Sequence, residues 1–241
     1  MKAYFQKLIL ISLCLLPLRL MASDFTLDVS TKGQFTNAQH YQIGVETRIG
    51  SIVNNWQLKP DGYRLGIALL REHERREQSR LRWALIYQLK TMDINPKTKA
   101  ALGAQLNQLV ATGRVLQVFN WDLIDFKVKQ NRLLKEGDAF VAPIRPHTVS
   151  VAGAAESTQL AFVGGKTVAD YSAMISRLPG ANKSFIWVAS PDTNIRKIGV
   201  SYWNTQEAYL APGSVLYVPL QGDDEFNESL VKLYAAQVLP Y

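Results

Sequence analysis

The chain has one cysteine, Cys14, which lies inside an apolar run near the N-terminus. A single thiol excludes an intrachain disulfide, and it leaves no pair of thiols for a metal site or a redox couple. Histidine is nearly as scarce: only His40, His73 and His147 occur, and none has the spacing of metal ligands. The sequence therefore predicts no metal site and no cofactor.

Sequence motifs of catalysis are also missing. The glycines stand at the ends of predicted strands and helices, without the strand–loop–helix arrangement that holds a phosphate. Acidic pairs occur at Asp122 with Asp125 and at Asp223 with Asp224. Acids so close in sequence are far more often part of a turn or a helix cap than a glycosidase pair. We predict no catalytic residue and a non-enzymatic protein.

The charge balance is only moderately basic. The chain carries 27 Lys and Arg against 20 Asp and Glu, a formal net charge of +7, and removing Lys2, Lys7 and Arg19 with the N-terminal segment lowers it to +4. That excess is ordinary for a secreted domain and predicts no nucleic-acid partner. Acidic polysaccharide and lipid headgroups are the alternative anions.

The N-terminal residues have the pattern of a secretion signal. Lys2 and Lys7 precede the apolar run Leu8–Leu18, which is too short to span a bilayer, and small residues follow at Ala22-Ser23. The pattern predicts a cleavable signal peptide over residues 1–22. Arg19 lies close to this site, so an uncleaved membrane anchor is the alternative. A lipoprotein fits less well, because Leu13 before Cys14 is bulkier than a lipobox accepts.

Residues 147–221 have the pattern of a compact strand–strand–helix–strand–strand unit. Thr167 and Asp170 indicate a capped helix start, and Pro179-Gly180 indicates its end after a face containing Val168, Tyr171, Ile175 and Leu178. The flanking apolar runs predict strands at Thr148–Val151, Thr158–Phe162, Phe185–Ala189, Ile198–Trp203 and Ser214–Leu220. One short helix held against a small sheet predicts an α+β fold of the β-grasp (ubiquitin-like) kind.

The first part of the chain predicts a second unit of this kind, over residues 23–146, interrupted by a helical hairpin at about 61–112. Tyr63–Leu89 is rich in helix formers, and Asn95 and Pro96 indicate the start of a second helix, which Gly113 ends. Strands are predicted at Phe25–Val29, Tyr41–Gly44, Val115–Phe119, Ile124–Val128 and Asp138–Val141.

The final segment, residues 222–241, predicts an amphipathic helix with Phe226, Leu230, Leu233, Tyr234 and Val238 on one stripe. It has three candidate roles: docking on the second unit, forming an oligomer, or lying on a membrane surface. Docking is favoured, since Lys232 is the only cation on this helix and Trp is absent.

Several short motifs, in order, resemble the GfcC-like capsule biosynthesis family. They are Thr112-Gly113-Arg114, Gly137–Phe140, Val149–Ala154, Gly165–Tyr171, Tyr202-Trp203-Asn204 and Pro212-Gly213-Ser214. The resemblance spans roughly Trp56 to Leu220. It implies a periplasmic protein of group-four capsule or exopolysaccharide operons, with two β-grasp domains and inserted helices. It also implies, as partners, a polysaccharide (acidic if uronic acids are present) or capsule-export proteins. We expect a monomer.

Three residues are candidates for ligand binding: Arg114, Trp56 and Trp121. Arg114 follows the predicted helix end, where a guanidinium is suited to bonding helix carbonyls. The resemblance implies instead that this arginine faces a cleft between the domains, where it is suited to bidentate recognition of a carboxylate. The tryptophans are suited to stacking on sugar rings if they are exposed. The family's tandem tryptophans followed by Pro-Gly are altered here, since Gln57 follows Trp56.

The charged run Arg71–Arg82 predicts a solvated helix face, with an anion-binding surface as the alternative. Trp203 lies in a predicted apolar strand and is expected to be buried. The whole chain predicts a non-enzymatic accessory protein for capsule or exopolysaccharide biosynthesis or export, which binds glycan or an export component. The alternative is a periplasmic glycan-modifying enzyme acting on acidic polysaccharide. Two carboxylates beside Arg114 in a cleft favour that alternative, and a cleft without them favours binding.

Overall fold

A computed structural model describes residues 26–37 and 39–241, so the predicted signal peptide at 1–22 lies outside the described residues. The described chain is an α+β protein with two mixed sheets. The first sheet has the order β2-β1-β4-β3, formed by β1 (Thr26–Gly33), β2 (His40–Gly44), β3 (Ala68–Leu70) and β4 (Ala139–Ala142). Its two central strands, β1 and β4, run parallel, while both outer pairs are antiparallel.

Three helices belong to the first half of the chain: α1 (Gly50–Val53), α2 (Glu72–Thr91) and α3 (Pro96–Gln108). The hairpin of α2 and α3 connects β3 to β4, within the predicted insertion at about 61–112. Asn95 caps α3 as predicted, its Oδ1 accepting a hydrogen bond from the Lys97 amide at 3.0 Å. The predicted start of α2 at Tyr63 is wrong. The apolar residues before Glu72 pair with β4, with Leu69 opposite Phe140, and their burial in the sheet outweighs their helix propensity.

The strands predicted at Val115–Phe119 and Ile124–Val128 are also wrong. The first is irregular backbone next to a single isolated bridge between Leu70 and Arg114, and Ile124–Phe126 is a turn of 3₁₀ helix. The neighbouring strand β3 has only three residues, so it provides little backbone for a further strand to pair with.

The second sheet has the order β6-β5-β9-β7-β8, with β5 and β9 parallel at its centre and the other pairs antiparallel. Its strands are β5 (Thr148–Gly153), β6 (Thr158–Ala161), β7 (Phe185–Ala189), β8 (Ile195–Gly199) and β9 (Val215–Val218). Helix α4 (Val168–Ala173) follows the β5–β6 hairpin and begins with the predicted capping box of Thr167 and Asp170. It is shorter than predicted, although Ile175 and Leu178 are still buried.

The strand predicted over Ile198–Trp203 and the burial of Trp203 are wrong. Strand β8 ends at Gly199, where the chain turns back and the Gln206 amide donates to the Gly199 carbonyl at 3.1 Å. A Cβ at Gly199 would collide with the Asn204 carbonyl, so the turn needs glycine there. This turn leaves 72% of the surface of Trp203 exposed to solvent, and the Trp203 ring packs edge-on against Phe185.

Helix α5 (Asp224–Ala235) docks as favoured, packing against α2 and against β7, β8 and β9 of the second sheet. Phe226 and Leu230 are fully buried. Asn227 fastens the start of this helix, since its Oδ1 accepts from the Tyr217 hydroxyl and the Leu220 amide, both at 2.8 Å. None of the described helices combines the length and the apolar character needed to cross a membrane.

Candidate functional site

Arg114 lies where the helical hairpin, the second sheet and the end of α5 meet, and only 3% of its surface is exposed. Its guanidinium donates to the Gln237 carbonyl at 2.9 Å, to the Ala235 carbonyl at 3.5 Å and to the Pro191 carbonyl. The residue therefore caps a helix, but the helix is α5, more than a hundred residues away, and not α3 beside it. Gln78 holds the backbone, its Nε2 donating to the Arg114 carbonyl at 2.8 Å.

Burial lowers the pKa of the Arg114 guanidinium to about 10, an effect that the nearby Asp192 carboxylate opposes, so the side chain is a cation at neutral pH. Arg114 borders a narrow crevice, and Asp192 is the only carboxylate among the described residues that line it. Asp192 belongs to the β7–β8 loop, in which Thr193 has a left-handed backbone with φ of 70°. The crevice thus lacks the pair of carboxylates that glycoside hydrolysis requires.

Trp56 and Trp121 lie in an aromatic core under the first sheet. Their ring centroids are 5.6 Å apart, and Phe140 packs edge-on against both rings. Both tryptophans are buried, so neither presents an open ring face for a sugar. The described residues contain no cluster of three or more His, Cys, Asp or Glu suited to a metal ion.

The acidic pairs serve structure. Asp122 forms an ion pair with Arg64 at 2.6 Å, and Asp125 accepts a hydrogen bond from Asn54 at 2.7 Å. Asp223 caps α5 through the Phe226 amide at 3.0 Å, as the turn-and-cap interpretation predicts.

A groove lined by both polar and apolar side chains runs between α3, the β5–β6 hairpin and the residues after α5. None of the described residues that line it is charged, and its polar lining includes Gln105, Gln108, Ser150, Ser157, Thr158, Gln159, Tyr234 and Gln237. Gln105 is already engaged, because it exchanges hydrogen bonds with the Gly153 backbone at 2.8 and 2.9 Å and accepts from the Tyr234 hydroxyl at 2.6 Å. We call this the amide groove.

The charged run on α2 contains a feature that the sequence analysis missed. Trp83 and Tyr87, one turn apart, are 61% and 72% exposed. Arg76 and Arg80 continue the same stripe towards the start of the helix, since positions 76, 80, 83 and 87 share one face. The buried residues of α2 are Gln78, Leu85 and Leu89, on the opposite side. The four stripe residues form what we call the outer face of α2.

The Trp83 ring is held in place by its neighbour. The Arg82 guanidinium lies 5.5 Å from the Trp83 ring centroid, in cation–π geometry. Arg82 is itself fixed by donating to the Leu106 carbonyl at 2.7 Å and the Asn107 carbonyl at 3.1 Å, at the end of α3. An exposed tryptophan on a fixed support is unusual for a purely solvated face.

Comparison with known proteins assigns the C-terminal part of the chain. Residues 156–239 match the family described as Capsule biosynthesis GfcC C-terminal. This part of the chain belongs to the GfcC family. The GfcC C-terminal domain contains α4, α5 and the β7–β8 loop, and thus the carbonyls that Arg114 binds, while Arg114, Trp56, Trp121 and the outer face of α2 precede it.

A curated relative gives a second similarity. The chain is 32% identical over 130 residues to the uncharacterized protein YjbG of Escherichia coli (strain K12). The alignment covers 54% of this chain and 53% of that protein, so it spans about half the length of each.

Proposed function

We propose that the protein is a non-enzymatic accessory factor for capsule or exopolysaccharide biosynthesis or export, which acts in the periplasm by binding acidic polysaccharide. GfcC membership of the C-terminal domain supports the link to capsule. The observation that carries the proposed activity is the pairing of exposed Trp83 and Tyr87 with Arg76 and Arg80 on the outer face of α2.

The chemistry of this face suits a chain of acidic sugars. Aromatic rings provide large, rigid apolar surfaces for the C–H faces of pyranose rings. Guanidinium groups bind carboxylates through paired hydrogen bonds. Arg76 forms no ion pair with another described residue, and Arg80 is bound only by the exposed Glu77, at 2.6 Å. Along a helix, these groups form a linear surface matched to an extended polymer.

A binding role is favoured over catalysis by the surroundings of Arg114. Its guanidinium is occupied by three backbone carbonyls, and one carboxylate lines the crevice. We therefore assign Arg114 a structural role in seating α5 and propose that no acid–base pair acts on the glycan.

We further propose that both sheets are β-grasp units. In each, an initial hairpin leads to a final strand that runs parallel to the first and beside it, giving the orders β2-β1-β4-β3 and β6-β5-β9-β7-β8. In the second unit, α4 follows the hairpin as the fold requires.

The proposed function is tested by titrating the full chain with polygalacturonate and, separately, with the neutral polymer dextran. We expect polygalacturonate to bind more tightly, and the double variant W83A/Y87A to bind it roughly tenfold more weakly, because stacking of two rings is lost. R76Q/R80Q should also bind polygalacturonate more weakly than the wild type does. This difference in affinity should be largest at low salt, where the charges of the wild type are least screened.

Two control variants accompany the titration. Y202A removes an exposed aromatic ring far from α2 in sequence, and Q108A/Q159A changes the amide groove. Both are expected to bind like the wild type. Equal affinity for W83A/Y87A and the wild type would reject the outer face of α2, and loss of binding in Q108A/Q159A alone would move the site to the amide groove.

A further inference from the structure

The loop between the 3₁₀ turn at Ile124–Phe126 and strand β4 exposes apolar side chains to solvent. Phe126 and Val128 are 82% and 81% exposed, and Leu133 is 45% exposed. Exposure of large apolar side chains to water is unfavourable in free energy, and covering them would remove that cost. We call residues 126–135 the basic loop.

Cations alternate with these apolar residues. Lys127, Lys129, Arg132 and Lys135 are all exposed, and residues 126–135 contain no acid. None of the four forms an ion pair with another described residue. Of the acids that flank the loop, Asp122 is paired with Arg64. Asp125 accepts only from the neutral Asn54 side chain, and Glu136 accepts from the Asp28 amide, so both keep their negative charge. The four cations outnumber these two acids, so the loop has an excess of positive charge next to its apolar tip.

The base of the loop is firmly attached to the first sheet's core. Ile124 and Leu134, on either side of the tip, are buried. Asn131 Oδ1 accepts from the Gly50 amide at 2.9 Å, and the Asn131 carbonyl accepts from Arg48 at 2.8 Å. The Gln130 side chain accepts from the Asn120 amide at 2.8 Å. The exposed tip is thus presented by a fixed base.

We propose that the basic loop docks the protein on an anionic lipid surface. Phe126 and Val128 enter the boundary between headgroups and acyl chains, and the flanking lysines and Arg132 bind lipid phosphates. The proposal is separate from glycan binding, because none of the four residues of the outer face of α2 belongs to this loop.

Charge complementarity favours lipid over the other acidic partners. A polysaccharide satisfies the cations and offers a C–H face to the Phe126 ring, but it has no apolar interior that could take up the aliphatic side chain of Val128. A folded protein needs a broad complementary surface, whereas two residues exposed above 80% belong to a protruding tip. A bilayer interface accepts an apolar tip surrounded by cations.

The test measures co-sedimentation with phosphatidylcholine vesicles, with and without phosphatidylglycerol. Both the full chain and the chain from Asp24 are used, because the chain from Asp24 keeps every residue of the two buried cores found among the described residues, the first of which is Val29. We expect binding to the vesicles containing phosphatidylglycerol, weaker in high salt, and little binding of the Asp24 chain to phosphatidylcholine alone.

Two variants separate the apolar and the ionic contributions. F126S/V128S should reduce partitioning roughly tenfold by removing the inserted groups, and K127E/K129E should reduce it at least as much by reversing charge. V163S and K183E change an exposed apolar residue and an exposed cation on the second unit and should bind like the wild type.

The proposal is overturned if the Asp24 chain fails to bind the vesicles containing phosphatidylglycerol, or if F126S/V128S binds them as well as the wild type does. Loss of polygalacturonate binding in F126S/V128S, with vesicle binding intact, would also overturn it and assign the loop to glycan. Retained vesicle binding in W83A/Y87A is expected, and it distinguishes this surface from the outer face of α2.

Discussion

The Arg114 guanidinium donates a hydrogen bond to the Gln237 carbonyl at 2.9 Å, so that a residue following the helical hairpin fastens the C-terminal end of the chain. Thr112 adds a second bond between the same segments, its hydroxyl donating to the Ala236 carbonyl at 2.6 Å. The last carbonyls of a helix have no partner within the helix. A buried cation at this position satisfies them and complements the negative end of the helix dipole.

Arg114→Ala should therefore destabilise the protein by about 3 kcal/mol, because it leaves buried carbonyls without donors. Arg114→Lys keeps a cation but lacks the planar guanidinium, whose N–H groups can donate to several carbonyls at once. It should therefore recover only part of that stability. Urea denaturation measures both, and the exposed Arg75→Ala is the control, expected within about 0.5 kcal/mol of the wild type. If both Arg114 variants fold like the wild type and lose polygalacturonate binding, Arg114 contacts ligand and the capping account is wrong.

Removal of Asp223–Tyr241 should lower the free energy of unfolding by several kcal/mol, because the apolar surface that Phe226 and Leu230 cover would be exposed to water. The milder Phe226→Ala should cost about 3–5 kcal/mol by leaving a cavity. Lys232→Ala, on the solvent side of the same helix, is the matched control. An unchanged melting temperature after truncation would mean that α5 contributes no docking energy.

The capping box of α4 predicts a dependence on acid. Hydrogen bonds from the Thr167 backbone and hydroxyl hold the pKa of Asp170 below its ordinary value of 3.8. Because the folded pKa is below the unfolded one, this stabilisation is complete above the unfolded value and disappears as pH falls through the folded value. Asp170→Asn should lower the melting temperature near neutral pH and lose less on acidification than the wild type. If the melting temperatures of Asp170→Asn and the wild type differed by the same amount at every pH, this prediction would be contradicted.

The N-terminal prediction is tested on the exported protein. Cleavage after residue 22 predicts that N-terminal sequencing of protein from a periplasmic extract begins at Ser23. A precursor that keeps Met1 and fractionates with membranes would instead establish the uncleaved anchor.

Local signals explain which parts of the fold were predictable. The capping box at Thr167 and the proline at Pro96 act within a few residues, and both helices start where predicted. The strand at Leu69 depends on Phe140, far along the chain, so no local pattern distinguishes it from the first turn of a helix.

The candidate site was predictable only in part, for a related reason. Arg114 was chosen from its motif, but its partner Gln237 is 123 residues away and has no sequence signal. Trp83 and Tyr87 had a usable signal: they lie four residues apart, opposite the leucines that a helix would bury. Arginine and glutamate around them gave the run the appearance of an ordinary solvated face.

The most direct test of glycan binding by the outer face of α2 is an NMR titration of the full chain with an oligogalacturonate. The account predicts chemical-shift changes at the Trp83 indole and at Tyr87, Arg76 and Arg80, absent with a neutral oligosaccharide of equal length. Changes confined to Gln108 and Gln159 in the amide groove, or no changes on α2 at saturating ligand, would contradict it.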